Sequence, residues 1–370
     1  MNIKSLLLGS AAALVAVSGA RAADAIVAAE PEPVEYVRVC DAFGTGYFYI
    51  PGTETCLRIH GYIRYDIGAG EIFERATVTG DESYNARARV SVRTSTASET
   101  ELGTLRTYSE LRFQWDTNTA AGGYSNDNEF SVNFAWIQLG GLRVGKDESF
   151  FTTWTGYAGP VINDALLYDP GPFDTNLISY TYNGGAFRAG LALEQGDDSN
   201  TAAESWGIDD YMPHVVAGVG YTAGMFDLSA VVGFDTRDDF AGLAQPIRGG
   251  WSGKIRADVT VSDQLSLMAM LHYGENASAY TTWRTGAITD ETFAVTVGGS
   301  YKMTDKATFN IQGQWQENNV VGQDDGFSVA ANVAYTLVPG LTITPEIAWR
   351  DTGAVNGDAF GGFFRVQRSF

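Results

Sequence analysis

A chain of 370 residues with 24 Lys and Arg against 44 Asp and Glu carries a formal charge of −20. That balance argues against nucleic acid as a partner, because phosphates call for a basic surface. The chain is rich in Gly (43), Tyr (18), Phe (20) and Trp (8), and it has no apolar run of the roughly 20 residues that a membrane-spanning helix needs.

The N-terminus reads as an export signal. Lys4 supplies a positive start, Leu6 to Val17 an apolar core broken by Gly9 and Ser10, and Ala20-Arg21-Ala22 a small-x-small cleavage site. Residues 1–22 are therefore expected to be a signal peptide, and the run is too short for an anchor. Loss of Lys4 and Arg21 takes the mature charge from −20 to −22. Residues 23–56 are expected to form an N-terminal periplasmic segment, loosely ordered over the Ala/Glu/Pro-rich stretch 23–35. It holds both cysteines, Cys40 and Cys56. In an exported chain one disulfide is the natural reading. It would be worth about 3 kcal/mol in the chain-entropy model. Metal binding would need further ligands, and two free thiols are the other alternative.

From residue 57 onward the pattern is period two. Leu57, Ile59, Gly61, Ile63, Tyr65 and Ile67 fall on one face, and Arg58, His60, Tyr62, Arg64 and Asp66 on the other. Such alternation is a strand with one apolar and one wet face. Ala86, Ala88, Val90 and Val92 oppose Arg87, Arg89, Ser91 and Arg93. Leu105, Leu111, Phe113 and Trp115 oppose Arg106, Tyr108, Glu110, Arg112 and Gln114. Sixteen such segments are predicted, near 57–68, 85–95, 103–116, 129–139, 141–148, 176–183, 186–195, 213–223, 225–235, 250–262, 264–274, 291–302, 306–317, 326–338, 340–351 and 361–370. The fourth and fifth are the least regular, because Phe134-Ala135-Trp136-Ile137 breaks the alternation.

The links alternate too. Gly140-Gly141, Asn183-Gly184-Gly185, Ala223-Gly224, Ser262-Asp263, Thr304-Asp305 and Pro339-Gly340 are turn-like, and the 95–103 link is longer. The others are long and polar, at 69–84, 117–128, 149–175, 196–212, 236–249, 275–290, 318–325 and 352–360. One rim of turns and one of loops is the asymmetry of an outer-membrane barrel, with turns in the periplasm and loops outside. A mean hydropathy near zero suits such a barrel. Aromatics recur eight residues apart on apolar faces, as at Phe226 and Phe234, Phe293 and Tyr301, and Phe327 and Tyr335. That spacing covers roughly 20 Å of barrel height, close to the distance between two aromatic girdles. A soluble β-sandwich shares the alternation but not the two-rim asymmetry. Residues 57–370 are therefore read as an all-β, transmembrane antiparallel β-barrel of sixteen strands. The last strand ends in Phe370, which resembles the terminal signature that the barrel assembly machinery recognises, although Arg368 departs from it.

The stretch Cys40-Asp41-Ala42-Phe43-Gly44-Thr45-Gly46-Tyr47-Phe48-Tyr49-Ile50-Pro51-Gly52-Thr53-Glu54-Thr55-Cys56-Leu57-Arg58-Ile59-His60-Gly61-Tyr62 resembles the opening of the porins of Brucella and related rhizobial alphaproteobacteria. Phe364-Arg365-Val366-Gln367-Arg368-Ser369-Phe370 resembles their ending, and the likeness runs through the mature chain. It implies a homotrimeric general porin with a long third loop folded into the lumen. Such a protein sits in the outer membrane against lipid and lipopolysaccharide and passes small hydrophilic solutes and ions.

The third external link, 149–175, matches that loop. The candidate acidic side of a constriction is Asp147, Glu148, Asp164, Asp169 and Asp174. The candidate basic side is Arg64, Arg87, Arg89, Arg93, Arg106 and Arg112, on the wet faces of the first three strands. Opposed rows would set a transverse field across a narrow water path and tune ion selectivity. The bland alternative is that the arginines line a wide lumen, but a cation row needs counter-charge or ample water.

Enzymatic readings are thin. There are three histidines, His60, His214 and His272, and no G-x-S-x-G, H-E-x-x-H or P-loop motif. His60 and His272 would both face the lumen and read as lumen-lining polar residues rather than as part of a hydrolase pair, and no cofactor or metal is expected. Acidic pairs such as Asp197-Asp198 and Asp324-Asp325 read as solvated loops rather than a Ca²⁺ site. The expected function is a general diffusion porin. The alternative is a substrate-specific channel or a receptor or adhesin barrel. An aromatic slide would mark a sugar channel, whereas Tyr62 and Tyr108 are the aromatic exceptions on a polar predicted lumen.

Overall fold

The computed structural model describes residues 38–76, 80–120, 123–197, 206–238, 249–275, 280, 291–318 and 323–370. The predicted signal peptide 1–22 and the stretch 23–35 lie outside these residues. Among the described residues, sixteen strands form one antiparallel sheet: β1 (Cys56–Ala69), β2 (Asn85–Thr100), β3 (Gly103–Ala120), β4 (Gly123–Leu139), β5 (Leu142–Glu148), β6 (Asp174–Gly184), β7 (Phe187–Glu194) and β8 (His214–Ala223). The second half comprises β9 (Phe226–Asp235), β10 (Gly250–Thr260), β11 (Leu265–Glu275), β12 (Glu291–Lys302), β13 (Ala307–Gln316), β14 (Gly326–Val338), β15 (Leu341–Asp351) and β16 (Asp358–Ser369). Each pairs with its sequence neighbour. β16 pairs with β1, placing Arg365 opposite Asp66 and Ser369 opposite Tyr62, so the sheet closes into a barrel. Closure removes the edges that lipid cannot satisfy.

Burial is inverted relative to a soluble protein. Ile59, Ile63, Phe113, Ile178, Ile255 and Ile347 are exposed, while Glu110, Glu194, Lys254, Gln312 and Gln314 are buried. At about 25 cal/mol per Å² of apolar surface, that outer face would be costly in water and is the expected one in a bilayer. The aromatics Phe226, Phe234, Tyr301, Phe327 and Tyr335 are exposed on it.

Three differences from the sequence expectation have local causes. First, β2 and β3 run through the supposed 95–103 link and turn only at 101–102. Their outward faces there are hydroxylic rather than apolar. Thr94 pairs with Ser109 and Thr96 with Thr107, each at 2.6 Å, so no apolar alternation signals the strand. Second, the expected loop 117–128 is mostly strand, since β3 continues to Ala120 and β4 starts at Gly123. Third, the irregular Phe134-Ala135-Trp136-Ile137 run follows a β-bulge. Glu110 pairs with Phe134 and Leu111 with Val132, which leaves Asn133 as the extra residue. A bulge residue reverses facing parity. Phe130 and Val132 are exposed before it and Ile137 after it, so Phe134 and Trp136 point inward.

The N-terminal segment is fastened to β1. Cys40 and Cys56 are disulfide-bonded, with Cα atoms 6.0 Å apart, and Phe48–Tyr49 pairs with Leu57 and Cys56. At the other end, Phe370 exchanges backbone hydrogen bonds of 3.0 and 3.1 Å with Gly61.

Candidate functional site

The arginine rows follow from alternation. In β2, Arg87, Arg89 and Arg93 share a face with buried Ser91, and in β3, Arg112 shares one with buried Glu110. The partners of the β2 arginines lie on β3, and that of Arg112 on its own strand. Glu110, fully buried, accepts from Arg112 Nε at 2.7 Å, Arg93 Nε at 2.9 Å, Ser91 Oγ at 3.0 Å and Tyr108 OH at 3.3 Å. Arg87 pairs with Asp116 at 2.7 Å. Arg89 donates to Gln114 Oε1 at 2.8 Å and Arg64 to Gln367 Oε1 at 2.9 Å. The Arg64 guanidinium stacks 4.5 Å from the Tyr62 ring. Arg365 on β16 pairs with buried Asp66 at 2.7 Å. Alternation puts Asp66 and Glu110 on wet faces without marking them as candidate acids, and it does not single out Asp116 or Arg365; their cross-strand positions point to them once register is known.

Arg106 stands apart. It lies four residues past the 101–102 turn, exposed at the short-turn rim, opposite Ala97 and away from the other arginines of the row.

The predicted acids separate likewise. Asp147 is buried and taken up by Arg143 at 2.6 Å. Asp174 pairs with Lys146 at 3.0 Å and shares its strand face with exposed Ile178 and Tyr180, so it is turned away from the arginine wall. Glu148 accepts a hydrogen bond from Tyr157 OH and lies close enough to Arg112 for their charges to attract. Asp164 accepts the Gly159 N–H at 3.4 Å, near Asp169 and Glu346. Burial, helped by those two negative neighbours against the backbone hydrogen bonds, raises its carboxyl to about 6. Of the five, Glu148 is drawn to Arg112 of the predicted wall.

The segment between β5 and β6 makes its contacts with inward-facing side chains. It opens with the short helix α1 (Phe150–Trp154), capped by Ser149. Gly190 and Gly218 lack the side chains that would collide with Phe150 and Trp154, which lets α1 lie on β7 and β8. Farther on, Tyr157 O accepts from Arg256, Asp164 O accepts from Gln312 Nε2 at 2.7 Å, and Gln314 Oε1 accepts the Leu167 N–H at 3.1 Å. Glu346 on β15 accepts Ile162 N–H at 2.6 Å, Asn163 N–H at 3.0 Å and Asn163 Nδ2 at 2.7 Å. On the return, Tyr168 OH bonds Thr296 at 2.5 Å and Lys254 Nζ donates to Pro170 O at 2.6 Å.

The histidines are occupied. His60 Nε2 is 3.4 Å from Ser95 Oγ, and His214 Nε2 donates to Trp206 O at 2.7 Å. Ser252 Oγ lies 2.8 Å from His272 Nε2, but the hydroxyl donates to Tyr273 O at 2.9 Å, and both side chains are fully buried. That pair has neither a free nucleophile nor substrate access. Among the described residues no cluster of three His, Cys, Asp or Glu could hold a metal ion.

A closed inside-out barrel with charged residues on its inner wall is the form of a membrane channel, and sequence comparison fixes which kind. The model of a porin subfamily matches residues 24–360. The chain belongs to the porin family. It is 48% identical to porin Omp2b of Brucella canis over 390 aligned residues, covering all of both chains, and 47% identical to Omp2b of Brucella melitensis with the same coverage. In fold it is similar to the outer membrane channel DcaP of Acinetobacter baumannii, with a TM-score of 0.63 at 18% identity, covering 87% of this chain and 99% of that one. Salmonella typhi OmpF, solved with daunomycin, gives 0.62 at 12% identity, with 86% and 98% covered. This porin is therefore an outer-membrane β-barrel channel.

Proposed function

We propose that this porin is a general diffusion pore whose cross-section is narrowed by the segment Ser149–Phe173. The supporting observation is the hydrogen bonding of that segment to inward-facing Arg256, Thr296, Gln312, Gln314 and Glu346, on strands remote from its own β5 and β6. Small hydrophilic solutes and ions pass between it and the wall of Arg64, Arg89, Arg93 and Arg112. Glu148 and Asp164 supply the negative side, giving a transverse field that aligns water and disfavours apolar solutes. Asp147, Asp174 and Arg106 drop out of the eyelet. Planar-bilayer recording tests the reading: stepwise conductance that rises linearly with salt supports it, and a closed barrel removes it.

A substrate-specific channel is favoured by one observation. The bulge turns Phe134 and Trp136 inward beside Tyr108, at ring distances of 5.8 and 5.4 Å, with His60 6.3 Å from Tyr108. Saturable block of the ionic current by one sugar would select that alternative.

The homotrimer belongs to the same proposal. Its support is the outward hydroxyl patch Thr94, Thr96, Thr107 and Ser109, which suits a subunit contact better than lipid. The chain is exported through its signal peptide 1–22. Exposed Phe370 would serve the assembly machinery, and acidic outer loops would meet lipopolysaccharide.

A further inference from the structure

The root of the narrowing segment is held by a carboxylate that lies outside the water path. Glu194 on β7 is fully buried. Its Oε1 accepts the Phe150 N–H at 2.6 Å, and its Oε2 accepts the hydroxyls of Ser149 and Tyr280, each at 2.8 Å. All three partners are donors, so together they satisfy both carboxyl oxygens. Phe150 N–H is also one of the donors that the start of a helix leaves without an intrahelical partner. Glu194 therefore pins the first residue of α1 to the barrel wall.

Tyr280 is the informative partner. It belongs to the connection between β11 and β12, on the long-loop rim, yet it is fully buried. Its ring lies 5.1 Å from Phe151 and 5.6 Å from Trp206, and its carbonyl accepts from His272 Nε2 at 2.8 Å. Trp206 belongs to another long-rim connection, between β7 and β8. Phe150, Phe151, Ala192, Trp206, Val216, Val231 and Tyr280 form one buried apolar cluster. Lys254, which holds the returning arm at Pro170, sits 4.5 Å from the Phe151 ring. Two outer connections and both arms of the narrowing segment thus meet around Phe151. Packed clusters move between discrete arrangements rather than deforming smoothly, so displacement of Tyr280 reaches Ser149 and Phe150.

We propose that Glu194 is a positioning residue for the constriction: with Tyr280 it couples an outer connection to the root of α1 and thereby sets where the narrowing segment stands. This rests on the constriction reading above.

Single-channel recording of the full chain in planar bilayers tests both separately. Tyr280→Phe removes one donor and keeps the ring. Glu194→Gln keeps the volume but turns an amide toward donors, and Glu194→Ala removes the acceptor. Open-channel noise and time in partial-conductance levels should rise several-fold, least in Tyr280→Phe and most in Glu194→Ala. The heat-modifiable gel shift of the folded barrel should not change. If Glu194→Ala does not assemble, Tyr280→Phe decides, and wild-type noise in it overturns the proposal. In parallel, Asp164→Cys treated with a charged thiol reagent should lose conductance, the native cysteines being bonded to each other. A current drop there with wild-type noise in the Glu194 variants overturns the positioning role alone. No current change on labelling overturns the constriction reading, and the proposal with it.

Discussion

Replacing Glu346 by Ala removes the acceptor that holds Ile162 and Asn163 of the segment Ser149–Phe173. Glu346 takes three hydrogen bonds from Ile162 and Asn163 and a fourth from Asn332 Nδ2 at 2.7 Å. Hydrogen bonds to a charged group contribute about 1.5–3 kcal/mol each, so the three from the segment set an upper bound near 5–9 kcal/mol. Lumen water can re-satisfy the freed donors, which brings the expected loss of local stability to roughly 2–4 kcal/mol. That corresponds to an open population of that stretch raised roughly 30- to 700-fold, at tenfold per 1.4 kcal/mol. Gln312 still holds the Asp164 carbonyl, and Gln314 and Thr296 still hold Leu167 and Tyr168, so the opening should be confined to residues near 159–163. Single-channel recording should show larger mean conductance and frequent transitions. A second readout is independent of mobility. The Glu346 charge helps to push the Asp164 carboxyl up, so its removal should lower the pH at which Asp164 gains its proton. A Glu346→Ala channel with wild-type conductance, noise and acid response would refute both the anchoring role and the placement of Asp164 beside it.

Asp164 carries its charge above about pH 6 and loses it below, because its carboxyl is raised rather than depressed. Cation preference, read as the reversal potential in a salt gradient, should therefore fall as pH drops through about 6. Asp164→Asn should abolish that step, and a step that persists would assign it elsewhere. Glu110→Gln leaves Arg93 and Arg112 without their carboxylate. It should shift the reversal potential toward anions and cost roughly 3 kcal/mol or more in denaturant unfolding, as for any broken buried pair. An unchanged reversal potential would place those arginines outside the ion path. Reduction of Cys40–Cys56 should cost about 3 kcal/mol and expose residues 41–55 to protease while the barrel stays resistant. Equal protease resistance with and without reductant would show that the pairing with β1 suffices.

The barrel was legible in the chain because a two-residue period is a local property that needs no knowledge of partners. Leu57–Ile67 announced β1, and the Gly-rich turns announced the rim. The same locality explains the failures. The hydroxyl pairs Thr94–Ser109 and Thr96–Thr107 look polar one residue at a time and become an outer face only when β2 and β3 are side by side. The inward turn of Trp136 depends on a bulge defined by pairing with β3.

The candidate site divides the same way. Alternation alone put Arg64, Arg87, Arg89, Arg93 and Arg112 on the wet face, and the length of the link after Glu148 marked the segment that hydrogen-bonds Arg256, Gln312 and Glu346. Sequence could not say which acids answer which bases, because that depends on register and on a path across the barrel. Tertiary structure gave Glu110 to Arg93 and Arg112, Asp116 to Arg87, Arg143 to Asp147 and Lys146 to Asp174. It also gave Glu194 and Glu346, isolated carboxylates in ordinary alternating strands, their roles as anchors, since their donors lie 44 and 184 residues away along the chain. Facing is set by neighbours two residues apart, so the sequence by itself determined wall, rims and charge. Pairing across the lumen is set by closure, so only the folded barrel decided how the segment is held.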